Sequence, residues 1–156
     1  MQIHNMLPAK LCTLSSFLHD SCNEYETIAN NIREKNARMS VRSVALKARQ
    51  YYIELNAQLR TLRVVCAVNR KSIKEEIKSK FIADKYSRDK KIIKKCCDAE
   101  RYFIKAYHSI LKESLPHAGL KDMLIYQQQG IKDVFAQLKL LHSVMPSEKA
   151  VMIPVY

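Results

Sequence analysis

Cys22-Asn-Glu-Tyr-Glu26 and Cys96-Cys-Asp-Ala-Glu100 share one spacing, a cysteine followed four residues later by a glutamate. Four residues is about one helical turn, so in each segment thiol and carboxylate would share a helical face. Glu100 matters more, because it interrupts an apolar stripe between Cys96 and Phe103 and is therefore expected to point inward. A buried carboxylate must be hydrogen-bonded, protonated or bound to a metal. Glu26 and Glu100 could converge as a carboxylate metal site, with iron, manganese or copper as the candidates. Alternatively, Tyr25, Tyr52 or Gln127 could hold Glu100 by a buried hydrogen bond, with Glu26 at the edge of its stripe. The second outcome is favoured, since buried polar groups are usually satisfied locally, and no cofactor is then expected.

The five cysteines, Cys12, Cys22, Cys66, Cys96 and Cys97, are odd in number and contain no CxxC pair. That pattern fits neither a disulfide framework nor a zinc ribbon, and it predicts free thiols in a reducing compartment. Thiolates favour soft metals, which would give Cys96-Cys97 a redox or copper role. Neighbouring residues on a helix point about 100° apart, however, so Cys96 is expected in the core and Cys97 as the more accessible thiol. The histidines His4, His19, His108, His117 and His142 are scattered, and none has ligating partners beside it in sequence.

Basic residues are concentrated. Residues 70–95 hold eleven Lys and Arg against four acids, net +7, while the whole chain has 27 against 15, net +12. Lys71, Lys74, Lys78, Lys85, Arg88, Lys90, Lys91, Lys94 and Lys95 form most of this patch. It could contact phosphates, an acidic partner or an anionic surface by counterion release. Phe81 and Tyr86 are too few for a base-stacking platform and no nucleic-acid motif is present, so a solvated basic connection is the preferred reading.

These residues must be positioned by helices. Leu11, Leu14, Leu18, Cys22, Tyr25, Ala29 and Ile32 alternate steps of three and four, which predicts a helix over 9–36 with Pro8 just ahead of it. Val41, Val44, Ala48, Tyr52, Leu55, Leu59, Leu62 and Cys66 predict a second over 40–67, capped by Ser40. Ile93, Cys96, Glu100, Phe103, Tyr107 and Ile110 predict a third over 87–115, stopped by Pro116. Leu120, Leu124, Gln127, Ile131, Val134, Leu138 and Leu141 predict a fourth over 118–144, with Ser114 and Pro116 as start signals and Pro146 as its stop. Residues 1–8 and 146–156 read as tails. Short links make two antiparallel hairpins, and residues 68–86 are long enough to cross between them. Ile73, Ile77, Phe81 and Ile82 could make a short fifth helix there.

Composition agrees with that architecture. A chain of 156 residues is one domain, 47% apolar, with only two glycines. So little glycine disfavours β-sandwiches, Rossmann domains and P-loops, all of which need glycine in turns or phosphate loops. No run approaches the ~18 apolar residues of a membrane span, and no signal peptide is visible at the N-terminus, so a cytoplasmic location is expected.

Cys22 to Glu26, Cys96 to Glu100 with Lys105-Ala-Tyr107, and Tyr126-Gln-Gln-Gln-Gly-Ile-Lys132 resemble a small bacterial branch of the ferritin-like superfamily classed as a domain of unknown function. The resemblance spans Leu11 to His142 and implies an all-α, ferritin-like four-helix bundle. It also implies that Glu26 and Glu100 match the lone-glutamate positions of di-iron relatives. The Glu-x-x-His pairs those enzymes require are missing, since no Glu or Asp here has a histidine three residues later. The leading expectation is therefore a non-enzymatic bundle acting through protein–protein association, as a homodimer or with a protein partner. A degenerate carboxylate metal site in a stress or redox role is the alternative, and weak nucleic-acid or anionic-surface binding through residues 70–95 the third.

Overall fold

The structure, a computed structural model, describes residues 2–67, 89–115 and 117–146. Among the described residues all regular structure is α-helix: α1 (Gln2–Asn30), α2 (Lys35–Thr61), α3 (Asp89–Asp98), α4 (Glu100–Leu111) and α5 (Ala118–Val144). None is long and apolar enough to cross a membrane. The crossover with its candidate fifth helix, and the tail beyond residue 146, lie outside the described residues.

Several boundaries differ from those the stripes predict, and each difference has a local cause. The expected N-terminal tail is helical from Gln2, with Pro8 inside α1 rather than ahead of it. Proline forfeits one backbone bond, but Leu7 and Leu11 on either side pack on the core and hold the turn. At its other end α1 stops at Asn30, six residues short of the predicted limit. There the Asp89 carboxylate accepts the backbone N–H groups of Arg33 (3.1 Å) and Glu34 (2.7 Å), which fixes a tight link. Glu34, not Ser40, caps α2: its carboxylate accepts the N–H groups of Asn36 and Ala37, and these bonds hold its pKa below the ordinary glutamate value. Five residues earlier than expected, α2 begins at Lys35, and it ends at Thr61 instead of residue 67. The stop is a Schellman motif, in which the Val64 N–H reaches the Leu59 carbonyl and Arg63 takes φ 56°.

The predicted third helix is two, α3 and α4. At Ala99 the N–H bonds back only three residues to Cys96, and Tyr102 does the same to Ala99, so a 3₁₀-type turn interrupts the helix. The helix then ends at Leu111, before residue 115. α5 starts after His117, which supplies no side-chain cap, so Ser114 does not play that part.

Side-chain contacts fix the helix directions. Ser15 meets Asn56 and Arg42 meets Asn30, so α1 and α2 are antiparallel. Lys10 meets Glu113 and Tyr25 meets the Cys96 carbonyl, so α3 and α4 run against α1. Tyr107 meets Gln127 and Lys90 meets the Met145 carbonyl, so α5 runs against them. The columns alternate α1, α2, α5 and α3/α4 around one core. The chain leaves at one end with Ala67 and re-enters at the other with Asp89.

Phe103 organises the core, with ring centroids 4.8 Å from Phe17, 5.3 Å from Phe135 and 6.0 Å from Tyr25. One polar network crosses it. Buried Gln127 accepts from the Tyr107 hydroxyl at 2.8 Å and donates to Glu54 at 3.1 Å, joining α4, α5 and α2.

Burial raises the pKa of Tyr25, Tyr107 and Cys96, and pushes Tyr51 up to about 12. The folded state therefore keeps protons that the unfolded chain releases, and stability falls as pH rises above about 9. Each such group removes ~1.4 kcal/mol one pH unit above its unfolded pKa. Urea midpoints at pH 8 and pH 10.5 should differ accordingly. A flat profile would mean that these hydroxyls and the thiol titrate as freely folded as unfolded.

Candidate functional site

The two echoing glutamates take cationic partners on different helices. Glu26 is half-exposed and pairs with Arg42 of α2, whose Nε lies 3.2 Å from its carboxylate. Glu100 pairs with Lys139 of α5 at the solvent edge, its side chain 15% exposed. None of the expected partners, Tyr25, Tyr52 or Gln127, holds Glu100, because the lysine on the facing helix reaches it first. The inward carboxylate of α1 is Glu24, only 6% exposed. Ser21, Glu24 and Ile28 form a second buried row beside the first stripe, and that row was the signal for it. Among the described residues no three His, Cys, Asp or Glu side chains group to hold a metal ion. With each glutamate neutralised by its own cation, the donor set does not fit a di-iron or related centre.

The thiols divide differently from expectation. Cys12 and Cys66 form a disulfide with Cα atoms 5.4 Å apart, tying α1 to the segment that follows α2. An odd count excludes only a fully bridged set; one bridge plus three thiols is allowed. The cysteine pattern thus no longer argues for a reducing compartment. Cys96 is fully buried, and Cys97 is buried too, so neither is an accessible thiol. Cys22 is intermediate. Burial raises the pKa of all three, and for Cys97 it outweighs Lys139 and Lys94, which pull the other way. None is activated as a nucleophile or soft-metal thiolate.

Of the basic patch, Lys71, Lys74, Lys78, Lys85 and Arg88 lie outside the described residues. Lys90, Lys91, Lys94 and Lys95 stand on α3. Lys90 donates to the Met145 carbonyl at 2.9 Å, and Lys94 to Asp98 at 2.7 Å.

Lys94 is also on the wall of an open groove of about 780 Å³ between α3/α4 and α5. Arg101, Lys105 and His108 continue the wall on α4, and Lys139 and His142 face them from α5. Steps of four and three place the α4 residues on one helical face. Arg101, Lys105 and His108 sit beside the buried stripe rather than on it, so the stripe does not point to a shared groove. Two acids line the groove, and both are already paired: Asp98 with Lys94, and Glu100 with Lys139. Burial and the charges of Lys90 and Lys94 push the His142 pKa below its ordinary value, against Asp98. The groove is thus a cation-rich cleft with a neutral imidazole at pH 7.

Tyr126 is 61% exposed and lies edge-on over the fully buried Tyr51, ring centroids 6.3 Å apart. Comparison with protein-family models, curated proteins and solved structures finds no match to this chain.

Proposed function

We propose that the chain is a non-enzymatic bundle of the ferritin-like kind, and that it works by docking an acidic amphipathic helix of a partner protein on the solvent face of α2. The order and direction of its helices are in keeping with that fold. One observation carries the docking reading. Met39, Leu46 and Ile53 recur every seven residues along α2 and are 54%, 58% and 55% exposed. Seven-residue spacing is the seam along which one helix receives another.

Charge selects the occupant. Arg42, already paired with Glu26, and Arg49 border the line on one side, Arg60 continues the line one step beyond Ile53, and Glu54 is the only acid in the helix. An antiparallel two-fold pairing of two copies sets that arginine edge against itself, and the net charge of +12 opposes self-association in general. A helix carrying leucine at seven-residue intervals between glutamates matches both features.

A fluorescein-labelled peptide of that design tests the reading by anisotropy at about 0.15 M salt. Leu46→Asp is expected to weaken binding at least about tenfold, with the helical circular dichroism unchanged because Leu46 already faces water. Equal affinity for wild type and variant overturns the proposal. So does a wild-type dimer in sedimentation that Leu46→Asp dissociates, since that result gives the face to a second copy.

A further inference from the structure

We propose that the groove between α3/α4 and α5 is a binding site for a small oligophosphate or a ligand carrying one, separate from the α2 face. The columns alternate so that α2 and α3/α4 stand diagonally across the bundle, and the two sites do not share a residue.

Positive charge is left over in the groove. Lys94 and Lys139 are committed to Asp98 and Glu100, and Arg101 and Lys105 are the two cations that remain after that pairing. Both are exposed, four residues apart on α4, and so stand about 6 Å apart along the helix. That separation suits neighbouring phosphate groups of one chain. Arg101 is held rather than loose: its guanidinium lies 5.0 Å from the Tyr102 ring centroid, and its Nη2 donates to the Tyr102 hydroxyl at 3.0 Å. Its remaining N–H groups keep the planar fork that phosphate accepts from two sides. An incoming polyanion also competes for Lys94 and Lys139, whose side chains are more than half exposed and whose acidic partners are singly charged.

The floor and size narrow the ligand. Ile104 and buried Cys97 supply the apolar part of the lining. About 780 Å³ lies within the range of small-molecule sites. From Lys94 to Lys105 the wall measures roughly 16 Å, too short to track a nucleic-acid strand over many phosphates. Among the described residues no Phe, Tyr or Trp lines the groove, so no stacking platform is offered to a base. Burial first, and then the charges of Lys90 and Lys94 against that of Asp98, lower the His142 pKa at the same place.

Titration calorimetry with tripolyphosphate at about 0.15 M salt tests the site on the full chain. The Arg101→Gln/Lys105→Gln variant is expected to lose at least about tenfold in affinity, whereas Lys35→Gln/Arg63→Gln, which removes the same charge at the two ends of the diagonal helix α2, should lose less than about twofold. Equal losses in both variants would mean unspecific attraction to a basic protein and overturn the proposal, as would no heat with tripolyphosphate or ATP up to about 1 mM. Similar affinity for tripolyphosphate and ATP supports a free oligophosphate; tighter binding of ATP supports a nucleotide as the phosphate source. Citrate binding as tightly as tripolyphosphate removes phosphate as the ligand class.

Discussion

Gly130→Ala is expected to lower the unfolding free energy by about 2 kcal/mol, opposite in sign to an ordinary helical glycine substitution. Within a helix, alanine is better than glycine by roughly 1 kcal/mol. Gly119, at the start of α5, has nothing within 4 Å of an added Cβ, so Gly119→Ala should be neutral or mildly stabilising. At Gly130 the same atom would lie 1.8 Å from the Tyr51 hydroxyl and 2.9 Å from its Cζ. The Tyr51 ring is fully buried and rigid beyond two torsions, so it cannot swing aside without displacing the core. Overpacking of this kind costs about 1–3 kcal/mol or more, which exceeds the propensity gain. Tyr51→Phe removes the nearest atom but leaves Cζ, so it should restore part of the loss. The hydroxyl finds no hydrogen-bond partner among the described residues, and Tyr51→Phe alone should therefore cost little. Urea unfolding of the four proteins gives the coupling directly. If Gly130→Ala and Gly119→Ala unfold alike, the close approach of α5 to Tyr51 is wrong.

Loss of the Cys12–Cys66 bridge should cost up to ~4 kcal/mol, from the entropy of opening a loop of about 54 residues in the unfolded chain. For a chain of this size that is a drop of roughly 10 °C in melting temperature. The bridge joins the third turn of α1 to the segment just beyond the Schellman stop of α2. It thus closes the first hairpin at its open end, while the 31–34 link and Asp89 hold the other. Cys12→Ser/Cys66→Ser and the reduced wild type should match each other, and reductant should leave the double variant unmoved. Cys22→Ser, away from the bridge, serves as the comparison. Thiol titration of the denatured, unreduced protein should find three groups, Cys22, Cys96 and Cys97; five would show that no bridge forms.

Both effects bear on how far each feature was legible in one dimension. Ala118–Val144 was readable at both ends because a sustained 3.6-residue stripe there ends close to prolines. Boundaries failed where a distant group decided them. Asp89, 55 residues from Glu34, takes the N–H groups that end one helix and frees Glu34 to cap the next. Burial of Gln127 followed from its place in the stripe, but its bonds to Tyr107 and Glu54 required two other helices to arrive.

The amino-acid sequence alone determined an all-helical chain with its apolar stripes and an excess of positive charge, because periodicity and composition are local properties. Tertiary structure decided what the charged residues do. Glu100 lies on an apolar stripe in sequence, yet Lys139 draws it to the surface edge, while Glu24 turns inward because α1 is covered on a wider face than one stripe suggests. Arg101 and Lys105 become the remaining cations of a groove only when α5 supplies the lysine that neutralises Glu100. Pairings across helices depend on distance in space, which spacing along the chain does not encode.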